Sequence, residues 1–246
     1  MGDTLYFAAY ALLTDGTYAY TKIVSYSPST YAYTTLSTGS DIMKPLVVAM
    51  LNYGAEAQKF FNYNTDALVN ANVTAEQQAL VDAYRDDMIS NFTPVGNKDL
   101  GEFAKTASGF TYKYPTVTFE GAFSINYYCL PNQTVKGDVT LYVWNEADFV
   151  AADVLTKENA SQVLTLDCEN GVYGAAVQGI AAKFLDQGVY VAFVYSDGTN
   201  TYSTGVLAYS IAAYNQTLIA ANNEQTAFAK ATAVYGYYAK LLLLGA

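Results

Sequence analysis

The feature that most constrains this chain is an internal repeat, whose matching stretches are separated by 182 or 183 positions. Three stretches recur in the same order: an Asp-Gly-Thr turn, a Tyr-Ser pair followed by a tyrosine, and a Tyr-Gly pair followed by an alanine. They are Asp15–Thr17 with Asp197–Thr199, Tyr26, Ser27 and Tyr31 with Tyr209, Ser210 and Tyr214, and Tyr53, Gly54 and Ala57 with Tyr235, Gly236 and Ala239. Because order and spacing are both kept, we interpret them as an internal duplication.

The duplication predicts how the chain is organised. The repeated unit consists of strands, a hairpin and a helix that contains Tyr-Gly. Residues 1–92 hold an incomplete first copy, a hairpin plus three helices; residues 93–112 form a glycine-containing connection; residues 113–246 hold a complete second copy, a β-sandwich followed by C-terminal helices. The predicted class is α+β, with an immunoglobulin-like (Ig-like) antiparallel β-sandwich plus helices.

Local patterns place the elements of the first copy. Aromatic and small side chains alternate over residues 5–11 and 17–26 around an Asp-Gly turn, which predicts a β-hairpin. Ser27 as cap and Pro28 in the first turn predict a short helix. Apolar residues at helical spacing predict a longer helix beginning near Asp41, and a capping box at residues 74–77 predicts a third helix that reaches Met88.

The second copy contains short β-prone runs separated by polar turns, and this pattern is typical of a sandwich. The predicted strands are Thr116 to Cys129, Asp138 to Trp144, Gln162 to Cys168, Tyr173 to Lys183, Val189 to Tyr195, and Thr201 to Tyr209. From Ser210 the pattern becomes helical to the end of the chain.

The hairpin of the first copy has no predicted sheet of its own. A two-stranded hairpin is only marginally stable in water and has unpaired edges, so it needs another surface. Three surfaces could cover the hairpin: the sandwich of the same chain, another molecule, or a neighbouring module. We favour the first. If the hairpin assembles with another molecule, its tyrosines are the candidate contacts: Tyr6, Tyr10, Tyr18 and Tyr20.

Charge and composition exclude several function classes. The 246 residues include 22 acidic and 12 basic side chains, for a formal charge of −10, and no histidine. Ser-His-Asp and Cys-His catalysis and histidine-bound metals are therefore excluded, and nucleic-acid binding is disfavoured. No apolar run reaches the roughly 18 residues of a membrane-spanning helix. No motif indicates a metal or cofactor, and none positions a carboxylate pair for catalysis, so we expect a non-enzyme.

The two cysteines, Cys129 and Cys168, each lie near the end of a predicted strand. A disulfide between them would contribute roughly 3–4 kcal/mol by restricting the unfolded chain. Two separate buried thiols are the other interpretation, because a free cysteine behaves as a small apolar residue. The spacing leaves both open.

The 24 tyrosines suit two roles. A ring with a hydroxyl fits half-buried strands and helix seams, and it also fits a binding face for sugar or protein. On the predicted strand that ends at Trp144, one face carries Thr140, Tyr142 and Trp144. This face is the candidate binding stripe, and packing of the same side chains against a helix is the favoured alternative.

Several strings resemble repeat modules of large secreted and cell-surface proteins of anaerobic gut bacteria. They are residues 24–27, 31–32, 49–58 and 61–65 in the first copy, and 124–128 and 179–183 in the second. The resemblance implies an extracellular, non-catalytic module. Tyr237-Tyr238 departs from the pattern that follows Tyr-Gly in the first copy, so the resemblance names no shared ligand.

Three hypotheses for function follow. The first is a non-catalytic extracellular module of a bacterial surface or secreted protein, acting in adhesion, spacing or assembly, with a protein, a glycan or a second copy as partner. The second is a carbohydrate-binding module that uses the aromatic strand face. The third is a self-assembling structural subunit whose first hairpin adds a strand to its neighbour.

Overall fold

The computed structural model describes residues 4–84, 88–89, 91–96, 98–107 and 109–245. The chain forms two compact units: Met1–Met88 with Glu224–Ala246, and Ile89–Asn223. The first unit therefore takes its last helix from the end of the chain, whereas the sequence prediction assigned that helix to the sandwich. The predicted boundary at 93–112 lies inside the second unit.

Helices form most of the first unit. They are α1 (Pro28–Thr38), α2 (Met43–Phe60), α3 (Ala75–Gln78) and α6 (Thr226–Leu244). Ser27 caps α1 by accepting a hydrogen bond from the Thr30 N–H at 3.1 Å. The predicted capping box at Thr74 and Gln77 is present, but α3 ends at Gln78. From Leu80 to Tyr84 backbone N–H groups bond to the carbonyl three residues earlier, as from Leu80 to Gln77, so this stretch forms turns and not the predicted longer helix. Residues 85–87, which that prediction also included, lie outside the described residues.

The core of the helical unit lies between α1, α2 and α6. Val47, Val48 and Leu51 are buried in one cluster with Tyr238 of α6. Phe60 stacks on Phe228 with ring centroids 4.6 Å apart, and Tyr53 stacks on Tyr235 at 5.4 Å. Since later residues of α2 meet earlier residues of α6, the two helices run antiparallel. In both Tyr-Gly pairs the glycine, Gly54 or Gly236, is buried.

The second unit contains an antiparallel β-sandwich. Its elements in chain order are β5 (Phe110–Thr118), β6 (Phe123–Pro131), β7 (Lys136–Asn145), α4 (Glu146–Ala151), β8 (Gln162–Thr165), β9 (Asp167–Glu169), β10 (Val172–Ile180), β11 (Val189–Ser196), β12 (Thr201–Ser203), β13 (Leu207–Tyr209) and α5 (Ile211–Ala221). One sheet has the strand order β5-β6-β10-β9. The other has the order β12-β11-β7-β8, and β13 also pairs with β11. An antiparallel sandwich is thus present, and its Ig-like character stays a prediction.

Three predicted strands are each divided in the structure, and one of them, Thr201 to Tyr209, becomes β12 and β13. The run Thr116 to Cys129 belongs to a hairpin of β5 and β6, which turns at Gly121 with φ of +75°. The run Gln162 to Cys168 changes sheet at Leu166, which separates β8 in one sheet from β9 in the other. Leu166 is buried and donates its N–H to the Val139 carbonyl, so this crossing point lies at the edge of the core.

Apolar side chains of the two sheets meet in the middle of the sandwich. Val143 pairs with Val191, and Leu141 with Phe193, so their side chains share one face. Tyr127 of β6 is fully buried, and its hydroxyl donates to the Val189 carbonyl of β11 at 3.1 Å. Burial raises the pKa of the Tyr127 hydroxyl well above its ordinary value, which keeps it a hydrogen-bond donor.

Candidate functional site

The predicted first hairpin is present and forms two short ladders. β1 (Leu5–Phe7) pairs with β4 (Val24–Tyr26), and β2 (Tyr10–Leu12) pairs with β3 (Tyr18–Tyr20). We call residues 5–26 the ribbon. Among the residues that the structure describes, no strand pairs with the outer edge of β1 or β2. The ribbon therefore has an unpaired edge over its first arm.

Short polar side chains fix the ribbon locally. In the turn, Asp15 Oδ1 accepts hydrogen bonds from the Thr17 N–H at 2.9 Å and the Thr17 hydroxyl at 2.7 Å. Gly16 adopts φ of +84°, which glycine allows without strain. Between the ladders, the Ala9 N–H donates to the Thr21 hydroxyl at 3.0 Å, and the Thr21 N–H donates to the Ala9 carbonyl. The hydrogen bonds at Asp15 in the turn and at Thr21 between the ladders therefore fix the register of the ribbon.

The ribbon exposes its apolar side chains. The exposed fraction is 72% for Tyr6, and every residue of the four strands is exposed. The interpretation that the sandwich of the same chain covers this hairpin stays a prediction. The large apolar residues on the ribbon that remain exposed are Leu5, Tyr6, Phe7, Tyr10, Leu12, Leu13, Tyr18, Tyr20, Ile23, Val24 and Tyr26.

Three of the four predicted assembly tyrosines lie together on the ribbon. The ring centroids of Tyr10 and Tyr18 are 5.6 Å apart in an edge-to-face arrangement, and Tyr20 lies 6.3 Å from each. Over residues 5–26 only Asp15 and Lys22 carry charge. A large, exposed aromatic surface with few charges marks an interaction site, so we take the ribbon as the candidate functional site.

The predicted binding stripe is not an exposed face. Trp144 is fully buried, and its indole N–H donates to Asn159 Oδ1 at 2.9 Å. Phe103 lies against this face, 4.9 Å from the Trp144 ring and 5.0 Å from the Tyr142 ring. Thr140, on the same strand face, is partly buried. The favoured alternative, structural packing, describes these residues: the short 3-10 helix that carries Phe103 covers them, and Phe149 of the helix α4 belongs to the same buried cluster.

The segment that covers this face was predicted to be a surface connection. Residues 93–112 instead contain a short 3-10 turn, Gly101–Phe103, and Phe103 is fully buried. The Phe103 carbonyl accepts a hydrogen bond from the Ser203 hydroxyl at 3.0 Å. The glycines in the segment suggested an exposed loop and gave no indication that Phe103 is buried.

Cys129 and Cys168 are free thiols and not a disulfide. Both residues pair with Tyr173, from opposite sides of β10. Two strand spacings therefore separate them, about 10 Å, whereas a disulfide requires Cα atoms within about 7 Å. Burial raises the pKa of the Cys129 thiol to about 12, so this thiol stays protonated in neutral solution.

The outer face of the first sheet carries a shallow groove of about 530 Å³ that sequence reasoning missed. A β-carbon at Gly174 would lie 2.8 Å from Tyr128 Cδ1, so the Tyr128 ring lies flat across this glycine. Asn126, Asp167 and Glu169 also line the groove. Alternation could have indicated it, because Ile125, Tyr127 and Cys129 point inward and leave the even-numbered positions outside.

Neither membrane spans nor metal clusters provide another site. None of the helices in the described ranges has both the length and the apolar character for crossing a bilayer. Within the same residues, no group of three or more acidic or cysteine side chains is placed to hold a metal ion.

Comparison with known proteins gives little further information. No protein-family model and no curated protein matches the chain. Among solved structures, the chain is similar to a bromine derivative of BhCBM56, a carbohydrate-binding module. The sequence identity is 14%, the TM-score is 0.29, and the match covers 44% of this chain and 97% of that chain. A likeness of this size supports no conclusion about function.

Proposed function

We propose that this chain is a non-catalytic module of a secreted or cell-surface bacterial protein, and that it assembles with another polypeptide through the ribbon. The observation that carries the proposal is the ribbon itself, with apolar side chains exposed on both faces and, among the described residues, no strand paired with either edge. The extracellular location rests on the resemblance of the sequence to gut bacterial surface modules. The non-catalytic role rests on that resemblance and on the absence of histidine and catalytic motifs from the sequence.

Physical chemistry favours a role in assembly for the ribbon. Moving a single Leu or Phe side chain from water into a protein interior contributes about 1.5–3 kcal/mol, and the ribbon exposes several. An unpaired edge also offers backbone donors and acceptors to an incoming strand. Natural edges are usually protected by charges or prolines, and the first arm, residues 5–12, has neither. The cost of leaving this surface uncovered is consistent with a partner.

Sedimentation of the full chain tests the proposal. We expect association that increases with concentration, and we expect Tyr6→Lys with Tyr20→Lys to give monomers, because lysines on a strand edge oppose pairing. The matched control is Tyr63→Lys with Tyr114→Lys, which makes the same charge change at two exposed tyrosines outside the ribbon. The proposal fails if the full chain stays monomeric throughout, or if the ribbon variant associates as strongly as the control.

A second candidate is carbohydrate binding in the groove beside Tyr128. The flat tyrosine ring offers contact area at a small entropic cost, and Asn126, Asp167 and Glu169 offer hydrogen-bonding groups around it. In this version of the hypothesis, the sugar-binding ring is the accessible Tyr128 and not the buried Trp144. A glycan array tests it: binding by the full chain should be lost in Tyr128→Ala and kept in Tyr114→Ala, and no binding to any glycan would refute it.

A further inference from the structure

The ribbon has the same register as a second hairpin in this chain, formed by β11, β12 and β13, which we call the closing hairpin. Leu5–Phe7 pairs with Val24–Tyr26 as Val189–Val191 pairs with Leu207–Tyr209. Tyr10–Leu12 pairs with Tyr18–Tyr20 as Val194–Ser196 pairs with Thr201–Ser203. Between the two ladders of each hairpin, the first arm has two residues and the second arm has three. The paired strands and the residues between the two ladders therefore correspond one to one, while the turns differ in length: residues 13–17 in the ribbon and residues 197–200 in the closing hairpin.

The hydrogen bonds between the ladders also correspond. Thr204 occupies the position of Thr21, and its hydroxyl accepts from the Phe193 N–H at 3.0 Å, as the Thr21 hydroxyl accepts from the Ala9 N–H at 3.0 Å. In both hairpins the threonine N–H also donates to the carbonyl of the same first-arm residue. The register is thus fixed by the same device in both copies.

The correspondence continues beyond the hairpins. Ser27 and Ser210 both have extended backbone angles, and each accepts a hydrogen bond from the N–H three residues later. Each serine begins a helix of 11 residues, α1 or α5. A longer helix that contains Tyr-Gly follows in each copy. The ribbon is therefore the equivalent of the last strands of a sandwich.

The closing hairpin has partners that the ribbon lacks. β7 pairs along the first arm of the closing hairpin, from Val189 opposite Asn145 to Val194 opposite Thr140. By the shared register, the matching positions on the ribbon are Leu5 to Tyr10. In the part of the chain that the structure describes, nothing pairs with that edge.

Both faces of the closing hairpin are covered as well. Val191 and Phe193 are buried between the sheets, while Tyr190 and Ala192 are buried with Phe103 on the other side. The matching ribbon positions are also apolar on both faces: Leu5 and Phe7 on one, Tyr6, Ala8 and Tyr10 on the other. A second ribbon paired at the edge would leave both faces in water. A sandwich would cover the edge and both faces.

We infer that the ribbon closes a second β-sandwich, whose other strands belong to a module built like residues 89–187 and lacking a closing hairpin of its own. Leu5–Leu12 pairs antiparallel with the strand of that module that is equivalent to β7. This inference rests on the proposed assembly through the ribbon. A second copy of this chain in the fold described cannot supply that sandwich, because its β7 is already paired on both edges, by β8 and β11. The association expected of the full chain alone therefore joins ribbon to ribbon, in place of this partner.

An extended chain tests the inference. Residues 89–187 are added before Thr4 of the full chain, so that the added segment continues directly into the ribbon. Hydrogen exchange is measured at the amides of Leu5–Leu12. We expect exchange there to slow by about two orders of magnitude or more, because the ribbon becomes an interior hairpin, and we expect the extended chain to sediment as a monomer.

Two further chains make the result specific. An extension with residues 89–209, which carries its own closing hairpin, should leave exchange in the ribbon as fast as in the unextended chain. Tyr6→Lys in the first extended chain should abolish the protection, because Tyr6 matches the buried Tyr190. Slow exchange in the ribbon of the 89–209 extension, or slow exchange that persists after Tyr6→Lys, would show that the ribbon can be covered without closing a sandwich. Either result would overturn the inference.

The remaining outcomes separate the inference from the proposed function. If the full chain associates through the ribbon but the 89–187 extension leaves ribbon exchange unchanged, assembly stands and the sandwich partner is wrong. If the ribbon drives no association and gains no protection, both are wrong.

Discussion

The ribbon and the closing hairpin have nearly the same backbone but opposite environments. Tyr6 is 72% exposed, while Tyr190, at the matching position, is 1% exposed. The distance from the first-arm N–H to the threonine hydroxyl is 3.0 Å in both hairpins. Local polar chemistry thus determines how each hairpin folds back on itself, and it does not determine whether the hairpin is buried.

Burial comes from neighbours that are distant in sequence. Tyr190 stacks on Phe149 at 3.8 Å, and its hydroxyl accepts from the Val95 N–H at 2.9 Å. The ribbon has the apolar side chains but not these neighbours. Since hydrogen bonding alone leaves an isolated hairpin marginally stable, the difference between the two regions should appear as a difference in free energy at matched positions.

The largest expected effect contrasts Tyr190→Ala with Tyr6→Ala. Removing the buried ring leaves a cavity and an N–H without its acceptor, so we expect the free energy of unfolding of the sandwich to fall by about 3–5 kcal/mol. Tyr6→Ala should change it by less than about 0.5 kcal/mol. Urea unfolding followed by fluorescence measures both, because the single tryptophan, Trp144, is buried in the sandwich.

Tyr190→Phe is the matched control for the first comparison. It keeps the stacked ring and removes only the hydroxyl; because the donor residue, Val95, is exposed, the effect should be near the roughly 1 kcal/mol of one hydrogen bond. Equal losses in Tyr6→Ala and Tyr190→Ala would contradict the assignment of the ribbon as an uncovered copy.

A smaller contrast is expected for the bridging threonines. In Thr204→Val the buried Phe193 N–H loses its acceptor, and we expect a loss of about 1–3 kcal/mol. In Thr21→Val water can replace the hydroxyl at the exposed Ala9 N–H, so the change should stay under about 0.5 kcal/mol. Thr204→Ser, which keeps the hydroxyl, should fall between the two. The measurement is the same urea transition, and a Thr204→Val loss no greater than that of Thr21→Val would count against the burial argument.

Local signals were readable from the sequence because they act over a few residues. The Asp-Gly turns, the serine cap at Ser27, the start of a helical pattern at Ser210, and the β-prone runs of β7 and β11 all have short-range causes, and the corresponding elements are present. The exposed edge of the ribbon was also foreseeable, since the hairpin had no predicted sheet. What covers each face was not, because it depends on pairings across long stretches of chain.

Four residues illustrate this limit. Phe103 lies in a glycine-containing segment and nevertheless packs against Trp144. The two residues are about forty positions apart, and no local sequence signal indicates their contact. Leu166 divides a continuous β-prone run between two sheets. Cys129 and Cys168 lie on strands separated by β10, and only the strand order reveals that they are too far apart to bond. Each of these outcomes depends on topology, which a periodicity of two does not encode.

The smallest expected effect compares the acidic turn residues, Asp197 and Asp15. The Asn200 N–H, the Tyr202 hydroxyl and the Thr199 N–H bind the Asp197 carboxylate and lower its pKa from 3.8 to about 2. The Thr17 hydroxyl and N–H likewise lower the pKa of Asp15. A carboxyl whose pKa is lower in the folded state stabilises the fold above pH 3.8, and this contribution is lost as the pH falls towards 2.

Only one of these turns belongs to the sandwich, so the two carboxylates should differ in the transition that Trp144 reports. Asp197→Asn should flatten the acid side of the stability profile between pH 4 and pH 2, whereas Asp15→Asn should leave that profile unchanged because the ribbon turn is not part of the sandwich. Urea midpoints across this pH range measure both variants. If Asp15→Asn also flattened the profile, the ribbon would already be coupled to the sandwich of its own chain, and the contrast between covered and uncovered copies would no longer hold.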